Sequence, residues 1–467
     1  MTKFVHPLAG FFLALTLSAC STFDLGSQPN EAINSEAAKL SAPASWVLGG
    51  QTDGLLADRW DAVVSDPLMD QYIELALKNN PSLKASYESI ARSEAILQQA
   101  QSNRLPVIGT NVSTSGGGNL DQFNFSERYS GGLSASWEVD LWGNIDAGVL
   151  SSTYDLDATK ATYENARQAL IAAVARAYIA AIESNLLVEL SAQTLAAQEE
   201  TYRIVMIRYE LGAASRREVV LAESDVAGAR DNLVISEANK RRALLSLEAL
   251  LGQYPDGDIT VAADFPSLPP LFSTGVPTEI LRRRPDIVAA EFNALSAFQA
   301  TRATRANGWP RLSISGGIDT ATLNIGNLLD PASIAYSIGA GLADVLFDGG
   351  LTEGRINAAN ASQRLALASY GQTVLDAYFD VVESLNDLRT ITERHPYIEK
   401  SAESARETLV LAEIQYKEGA IDLLDVLTFR QRSFQADISE ISMERQMIDT
   451  RIALYLALGG TAFSQAY

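Results

Sequence analysis

The chain has 467 residues, of which 47% are hydrophobic and 20% charged, and a net charge of −21. That balance excludes a disordered polymer and a bundle of membrane helices. The acidity argues against nucleic acid, whose phosphates demand a basic surface, and by itself identifies no partner.

Residues 1–19 read as a signal peptide. Lys3 supplies the positive region, and Phe11 to Leu17 lies in an apolar core too short to span a bilayer as a helix. The core ends in Leu17-Ser18-Ala19-Cys20, and Cys20 is the only cysteine, so no internal disulfide can form. The tetrapeptide resembles the bacterial lipobox, whose cysteine is lipidated and becomes the first mature residue. Ordinary cleavage leaving a free thiol is the other reading. Ser21 follows where an aspartate would oppose sorting to the outer membrane. A lipid on Cys20 would anchor the chain without making it span. Residues 20–60 read as a tether and equatorial segment, polar and aperiodic from Ser21 to about Leu56. No later segment reads as a membrane helix, since the most apolar run, Ala169 to Ile182, is broken by Arg176.

A first repeat is expected over 61–252. A helix should begin near Asp66-Pro67. Asn80 should cap a second, with Pro81 at its first position, where the missing N–H costs nothing. Leu105-Pro106 opens a strand that alternates loosely to Thr114. Gly116-Gly117-Gly118 and Asn119 to Glu127 read as a loop at its tip. The returning strand is the clearest. Tyr129, Gly131, Leu133, Ala135, Trp137 and Val139 share one face, while Ser130, Gly132, Ser134, Ser136 and Glu138 share the other. About ten tilted residues of this kind can cross a bilayer. Asp140-Leu141-Trp142-Gly143 ends the strand. A proline-free helix from about Ile145 to Leu211 follows, roughly 100 Å long at ~1.5 Å per residue. Gly212-Ala213-Ala214-Ser215 turns the chain, Ser215 can cap, and a second long helix returns to Gly252, making a coiled-coil hairpin.

A proline-rich connector covers 253–278, and a second repeat covers 279–460, leaving a tail at 461–467. Arg284-Pro285-Asp286 restarts the first helix, and Trp309-Pro310 opens a third strand. Leu312, Ile314, Gly316 and Ile318 then alternate with Ser313, Ser315, Gly317 and Asp319. Tyr336, Ile338, Ala340 and Leu342 alternate with Ser337, Gly339, Gly341 and Ala343, and Leu346-Phe347-Asp348-Gly349-Gly350 ends that fourth strand. Pro81 and Pro285 are 204 residues apart, as are Pro106 and Pro310; Tyr209 and Tyr416, Gly212 and Gly419, and Gly252 and Gly459 are each 207 apart. The chain therefore contains two copies of one helix–strand–strand–helix–helix unit.

Four strands of a soluble sandwich would alternate too. Their Ser/Gly faces suit a wet lumen, however, and the rest of the chain reads as helix. In lipid an open four-stranded sheet leaves two bare edges, and single-chain barrels need at least about eight strands. Several copies must then pool their strands. Small residues such as Ala172, Ala173, Ala175, Ala177, Ala180 and Ala181 suit helices packed side by side in a tube wall, or simply favour helix.

The lipobox, Leu281-Arg282-Arg283-Arg284-Pro285-Asp286-Ile287, the two strand-to-helix junctions and the paired Tyr-x-x-Gly turns at Tyr209 and Tyr416 together resemble the TolC/OprM-type outer-membrane efflux factors. The resemblance is closest to their lipidated, NodT-type branch and covers nearly the whole mature chain. It implies a mixed membrane α/β fold: a homotrimer whose twelve-stranded transmembrane β-barrel, four strands per protomer, sits on a long periplasmic α-helical barrel. It also implies a lipid-anchored place in the outer membrane, extending into the periplasm, and two partners, a periplasmic adaptor (membrane fusion) protein and an inner-membrane RND pump driven by protons. The implied function is the passive exit duct of a tripartite pump for drugs or other small toxic compounds. An exit for type I protein secretion, over which lipidation favours the pump duct, and a non-transport coiled-coil envelope lipoprotein are the alternatives.

In this family the hairpin turns form a periplasmic gate. Asp422 and Asp425 follow the second turn, and the repeat maps them onto Ser215 and Glu218. Threefold symmetry would turn each carboxylate into a cation-selective ring. Asp422 can equally cap the last helix. Arg216 and Arg217 are candidates to bridge such carboxylates, or are solvated charges. Gly212, Ala213, Gly419 and Ala420 mark the turns where an adaptor would dock, with both glycines set by a need for positive φ. Trp142, Trp309 and Phe347 are candidate interface aromatics at the periplasmic strand ends, with Phe123, Phe125 and Tyr129 at the outer side; core packing is the alternative for Trp142. No catalytic residue, cofactor or metal site is expected. His6 lies in the signal peptide and His395 stands alone, and neither metal-ligand spacing nor a phosphate-binding loop occurs.

Overall fold

The computed structural model describes residues 29–39, 45–46, 63–119, 124–271, 273–275, 277–278 and 280–460. The expected signal peptide, Cys20, most of the expected tether, Phe123 and residues 461–467 lie outside the described residues. The elements run α1 (Pro29–Lys39), α2 (Pro67–Asn79), α3 (Pro81–Ser102), β1 (Val107–Asn119), β2 (Asn124–Val139), α4 (Asn144–Glu210), α5 (Arg216–Leu250), α6 (Ile280–Arg283), α7 (Pro285–Ala306), β3 (Arg311–Thr322), β4 (Ile334–Ala343), α8 (Leu351–Lys417) and α9 (Leu423–Ala457).

Local chemistry explains the boundaries. Asp66 caps α2 by accepting from the N–H groups of Leu68 and Met69, and Pro67 takes the first position. Asn80 does the same for α3, accepting from Ser82 and Leu83. Asp140 and Asp348 sit where each returning strand gives way to a long helix. Asp140 accepts from the N–H of Asp146, and Asp348 from those of Gly350, Leu351 and Thr352. The Thr352 hydroxyl and that amide cluster hold the Asp348 carboxyl below the usual carboxylate range. Pro396 lies inside α8 without ending it.

Three expectations are corrected. The stretch from Ser21 to Leu56 is not aperiodic throughout, since α1 forms there and buries Ile33. Gly116-Gly117-Gly118 belongs to β1 rather than to a loop, paired with Glu127, Ser126 and Phe125 of β2. A Cβ at Gly116 would lie 2.4 Å from the Phe125 ring, so glycine lets that ring lie across the strand. By length and composition, α4 is also able to cross a membrane. Its apolar run has another use: Val174, Tyr178, Ile179 and Ile182 are fully buried within the chain.

The described residues divide into two compact units, each drawing on both repeats: those within 1–40, 95–155 and 291–371 form one, and those within 41–94, 156–290 and 372–460 the other. The first holds a single antiparallel sheet in the order β1-β2-β3-β4.

The second holds the helical hairpins. Within the first hairpin, Glu199–Arg230 (2.8 Å), Ser191–Ser236 (2.9 Å) and Asn185–Lys240 (2.7 Å) pair α4 with α5 antiparallel. In the second, Arg406 of α8 pairs with Asp437 and Glu440 of α9. Each hairpin is closed in the same way. Asn80 Nδ2 donates to the Leu250 carbonyl in the first repeat (2.9 Å), and the Arg284 guanidinium donates to the Ala457 carbonyl in the second (3.3 Å). Residues 253–271 form neither helix nor strand. Buried Glu248 clamps the start of this connector by accepting from Gly257, Asp258 and Ile259.

Candidate functional site

The register of the sheet gives it two chemically distinct faces. Directly opposed residues share a face. Leu133 pairs with Ile318 and Ile318 with Tyr336; Ala135 pairs with Gly316 and Gly316 with Ile338; Val139 pairs with Leu312 and Leu312 with Leu342. The other face joins Ser113 to Ser130, Ser134 to Gly317 and Gly317 to Ser337, with the Ser113 and Ser130 hydroxyls 2.7 Å apart. Neither face is covered by the chain. Val112, Tyr336 and Ile338 are 79%, 84% and 86% exposed, and every residue of β4 is exposed. The sheet has no pairing strand beyond β1 or β4 among the described residues. Contiguous exposed apolar surface and two open edges are both unstable in water.

Aromatic side chains gather at one end of this sheet. The rings of Trp142, just after β2, and Trp309, just before β3, lie 5.5 Å apart at 33°, and Trp142 Nε1 donates to the Pro310 carbonyl (2.8 Å). Phe347, after β4, is 90% exposed.

The hairpin tips are built around a shared core of Val205, Val219, Ala222, Tyr416, Leu423, Val426 and Leu427. Both turns use one motif. Gly212 N–H donates to Tyr209 and Ala213 N–H to Arg208; Gly419 N–H donates to Tyr416 and Ala420 N–H to Gln415. These are the paired bonds of a left-handed helix cap, and φ is +74° at Gly212 and +80° at Gly419. The following helices are capped at equivalent positions. Ser215 accepts from Glu218 N–H (3.3 Å), while the Glu218 carboxylate accepts from Ser215 N–H (2.6 Å). Asp422 accepts from Asp425 N–H (3.1 Å). The Ser215 backbone and hydroxyl hold the Glu218 carboxyl below the usual range.

A profile of the family described as "Outer membrane efflux protein" matches residues 72–253 and again 276–460. The chain belongs to that family. It is 28% identical over 463 residues to the pyoverdine export outer membrane protein OpmQ of Pseudomonas putida, covering 96% of each chain. It is 28% identical over 472 residues to the outer membrane protein OprJ of Pseudomonas aeruginosa, covering 98% of this chain and 97% of that one. Its fold superposes on the solved outer-membrane channel OprN with a TM-score of 0.82 at 27% identity, over 90% of this chain and 96% of that one. This efflux protein therefore has the family architecture: a trimeric transmembrane β-barrel with four strands from each protomer, a long α-helical barrel, and an internal repeat. It is an outer-membrane exit channel that extends into the periplasm. The family is one of transport proteins, and its members form homotrimers that work with RND pumps and adaptor proteins.

In this efflux protein the candidate gate residues come together at the tips, in roles the repeat relates. Ser215 and Asp422 are caps, and Glu218 and Asp425 stand three residues beyond them. Arg216 and Arg217 are exposed and form no ion pair with Asp422 or Asp425 among the described residues. Two other arginines tie the hairpins together. Arg208 lies 4.5 Å over the Tyr416 ring and donates to the Tyr416 carbonyl at 3.2 Å. Arg430 of α9 is buried; it donates to Ala197 O (3.3 Å), Gln198 Oε1 (3.1 Å) and Thr201 Oγ1 (2.8 Å) of α4, and to Glu413 of α8 (2.5 Å). Nothing in the local sequence marks Arg430, because its α4 partners lie 229–233 residues away.

Proposed function

We propose that three copies of this chain form the passive exit duct of a tripartite, RND-type efflux pump for small organic compounds. One observation carries this reading: a four-stranded sheet with one hydrocarbon face, one Ser/Gly face and two open edges. Lipid satisfies the first face and water the second. Only strands from further copies satisfy the edges, since unpaired backbone in hydrocarbon costs several kcal/mol per group. The small-compound cargo is supported by likeness to a relative named for pyoverdine export.

In this reading Cys20 carries the lipid anchor, and Trp142, Trp309 and Phe347 sit at the periplasmic membrane interface. The turns at Gly212-Ala213 and Gly419-Ala420 receive the periplasmic adaptor. Asp422 and Asp425, with Glu218 at the repeat-related position, form the carboxylate rings of the periplasmic gate, with Arg216 and Arg217 beside them. The boundaries proposed for the parts are 1–19, 20–60, 61–252, 253–278, 279–460 and 461–467.

Two measurements test this. Deleting the gene, with paralogues removed, should sensitise cells to exported compounds; unchanged sensitivity across a broad panel counts against the reading. In planar bilayers the purified protein should conduct, and Asp422→Asn with Asp425→Asn should raise conductance or reduce cation selectivity. An identical current–voltage curve would remove these two residues from the gate.

A further inference from the structure

We infer that Asp319 is a second charge-selecting residue, placed in the lumen of the β-barrel and acting apart from the hairpin-tip carboxylates. The inference rests on the trimeric channel reading above. The register sets Asp319 opposite Gly132 on β2 and Ala335 on β4. Alternation along β3 puts it on the face of Ser313, Ser315 and Gly317, away from Ile314 and Ile318. A charge on the lipid face is unfavourable, by about 2–4 kcal/mol for Arg or Lys at the midplane and less for Asp, so the lumen assignment is also the one the bilayer favours.

The surroundings leave the carboxylate uncompensated. Asp319 is exposed, and among the described residues no side chain pairs with it. Its cross-strand neighbours on that face are small. Gly132 is required: a Cβ there would lie 2.9 Å from the Ile318 carbonyl oxygen and 3.1 Å from the Asp319 Cβ. The other charged groups on the same face lie beyond contact and are unchanged between the channels compared. Arg128 is four residues from Gly132 along β2, about 13 Å toward the outer end at ~3.3 Å per residue; Glu138 is six residues the other way, about 20 Å, and Arg311 eight along β3, about 26 Å.

Threefold symmetry places three such carboxylates at one height. A barrel of twelve strands lies between those just filled by side chains, at about eight, and the open porins, at about 16–18, so its interior is wet. The field of a ring on a wet, wide wall reaches the axis only when screening is weak. The Debye length is about 30 Å at 0.01 M salt and about 3 Å at 1 M. A ring at a constriction acts at contact range and keeps its influence at high salt. Asp319 therefore confers a cation preference that is strong at low ionic strength and absent at high ionic strength.

The test uses the full-length trimer in planar bilayers, carrying Asp422→Asn, Asp425→Asn and Glu218→Gln so that the tip carboxylates are neutralised in every channel compared. Asp319→Asn should lower the K⁺/Cl⁻ permeability ratio roughly threefold near 0.01 M KCl, as expected for three screened unit charges, and leave it unchanged at 1 M. In Asp319→Cys, an anionic methanethiosulfonate should restore the cation preference and a cationic one should reverse it, against the protein retaining only Cys20 as control. A reversal potential at low salt that Asp319→Asn does not move, with single-channel conductance intact, overturns the inference. So does an Asp319→Cys channel that neither reagent alters. Absence of any conductance from the unsubstituted trimer overturns the channel reading itself, and this inference with it.

Discussion

The two ends of each helical hairpin close with the same backbone motif but in opposite surroundings. Gly212, Gly252, Gly419 and Gly459 all end a helix with positive φ, and all lie in matching cap hydrogen bonds. At Gly212 and Gly419 a Cβ would meet nothing within 4 Å. At Gly252 it would lie 2.6 Å from the Asn79 carbonyl oxygen, and at Gly459 it would lie 2.8 Å from the Arg283 Cβ and 3.0 Å from its carbonyl carbon. One end of the hairpin is packed against the residues that open the same repeat. The turn at the other end is free of such packing and is held instead by side chains such as Arg208 and Arg430. For the gate proposed at the tips, this division supplies a fixed root and a tip secured by side-chain bonds.

The largest effect should come from the root. In Gly459→Ala the added methyl meets backbone atoms, which cannot step aside, at φ +92°. Left-handed strain of about 1–2 kcal/mol and overpacking of about 1–3 kcal/mol should lower stability by roughly 2–5 kcal/mol. Gly252→Ala should behave alike. Urea unfolding of the detergent-solubilised protein measures this, and an unchanged midpoint would mean that the root is not packed as described.

Next in size is the loss of the bond network between hairpins. Arg430→Met keeps the volume but removes donors to four groups on two helices. With charged hydrogen bonds worth about 1.5–3 kcal/mol net, a loss of about 2 kcal/mol is expected, together with larger single-channel conductance as the tips separate. Lower stability at constant conductance would make Arg430 a packing residue with no part in holding the tips.

The contrast also separates what was legible in the sequence from what was not. The 204- and 207-residue offsets, the strand alternation, the helix start at Asp66-Pro67 and the caps at Asn80 and Ser215 depend on local sequence, and the structure follows them. The tail of β1 is not legible because three glycines look like a turn. They pair with Glu127, Ser126 and Phe125 of β2, and the Phe125 ring lies where a Cβ at Gly116 would be. Arg430 carries no local signal, Asn80 reads as a cap, and Arg284 as part of the motif that restarts the first helix. The roles of all three appear only when residues some 170–230 positions away arrive beside them. The open sheet edges, by contrast, follow from counting strands, and so the need for further copies was visible early.

A smaller effect is expected at the tip glycines. Gly212→Ala and Gly419→Ala face open space, so only the left-handed backbone cost of about 1–2 kcal/mol applies. Each should shift the unfolding midpoint less than Gly459→Ala does. Equal shifts at root and tip would erase the proposed difference between the two ends, because backbone strain alone would then account for all four positions.

The smallest effect should distinguish the two tips from each other. Glu218 completes its capping box as a carboxylate, and the Ser215 amide and hydroxyl hold its pKa below the usual value. A carboxylate depressed in the folded state stabilises it above the ordinary carboxylate pKa, about 4.3, and that contribution is lost as pH falls through the lower folded value. Acidification from about pH 5 to pH 3 should therefore lower the protection factor, the intrinsic exchange rate at each pH divided by the observed one, for the amides of Ser215 and the first turn of α5. Glu218→Gln should remove most of this pH dependence while leaving the Ser215 cap in place. Exchange at Ser215 that follows only the intrinsic chemical rate in both proteins would show that the reciprocal bond contributes nothing to the tip, and the first hairpin would then rest on its Ser215 cap alone.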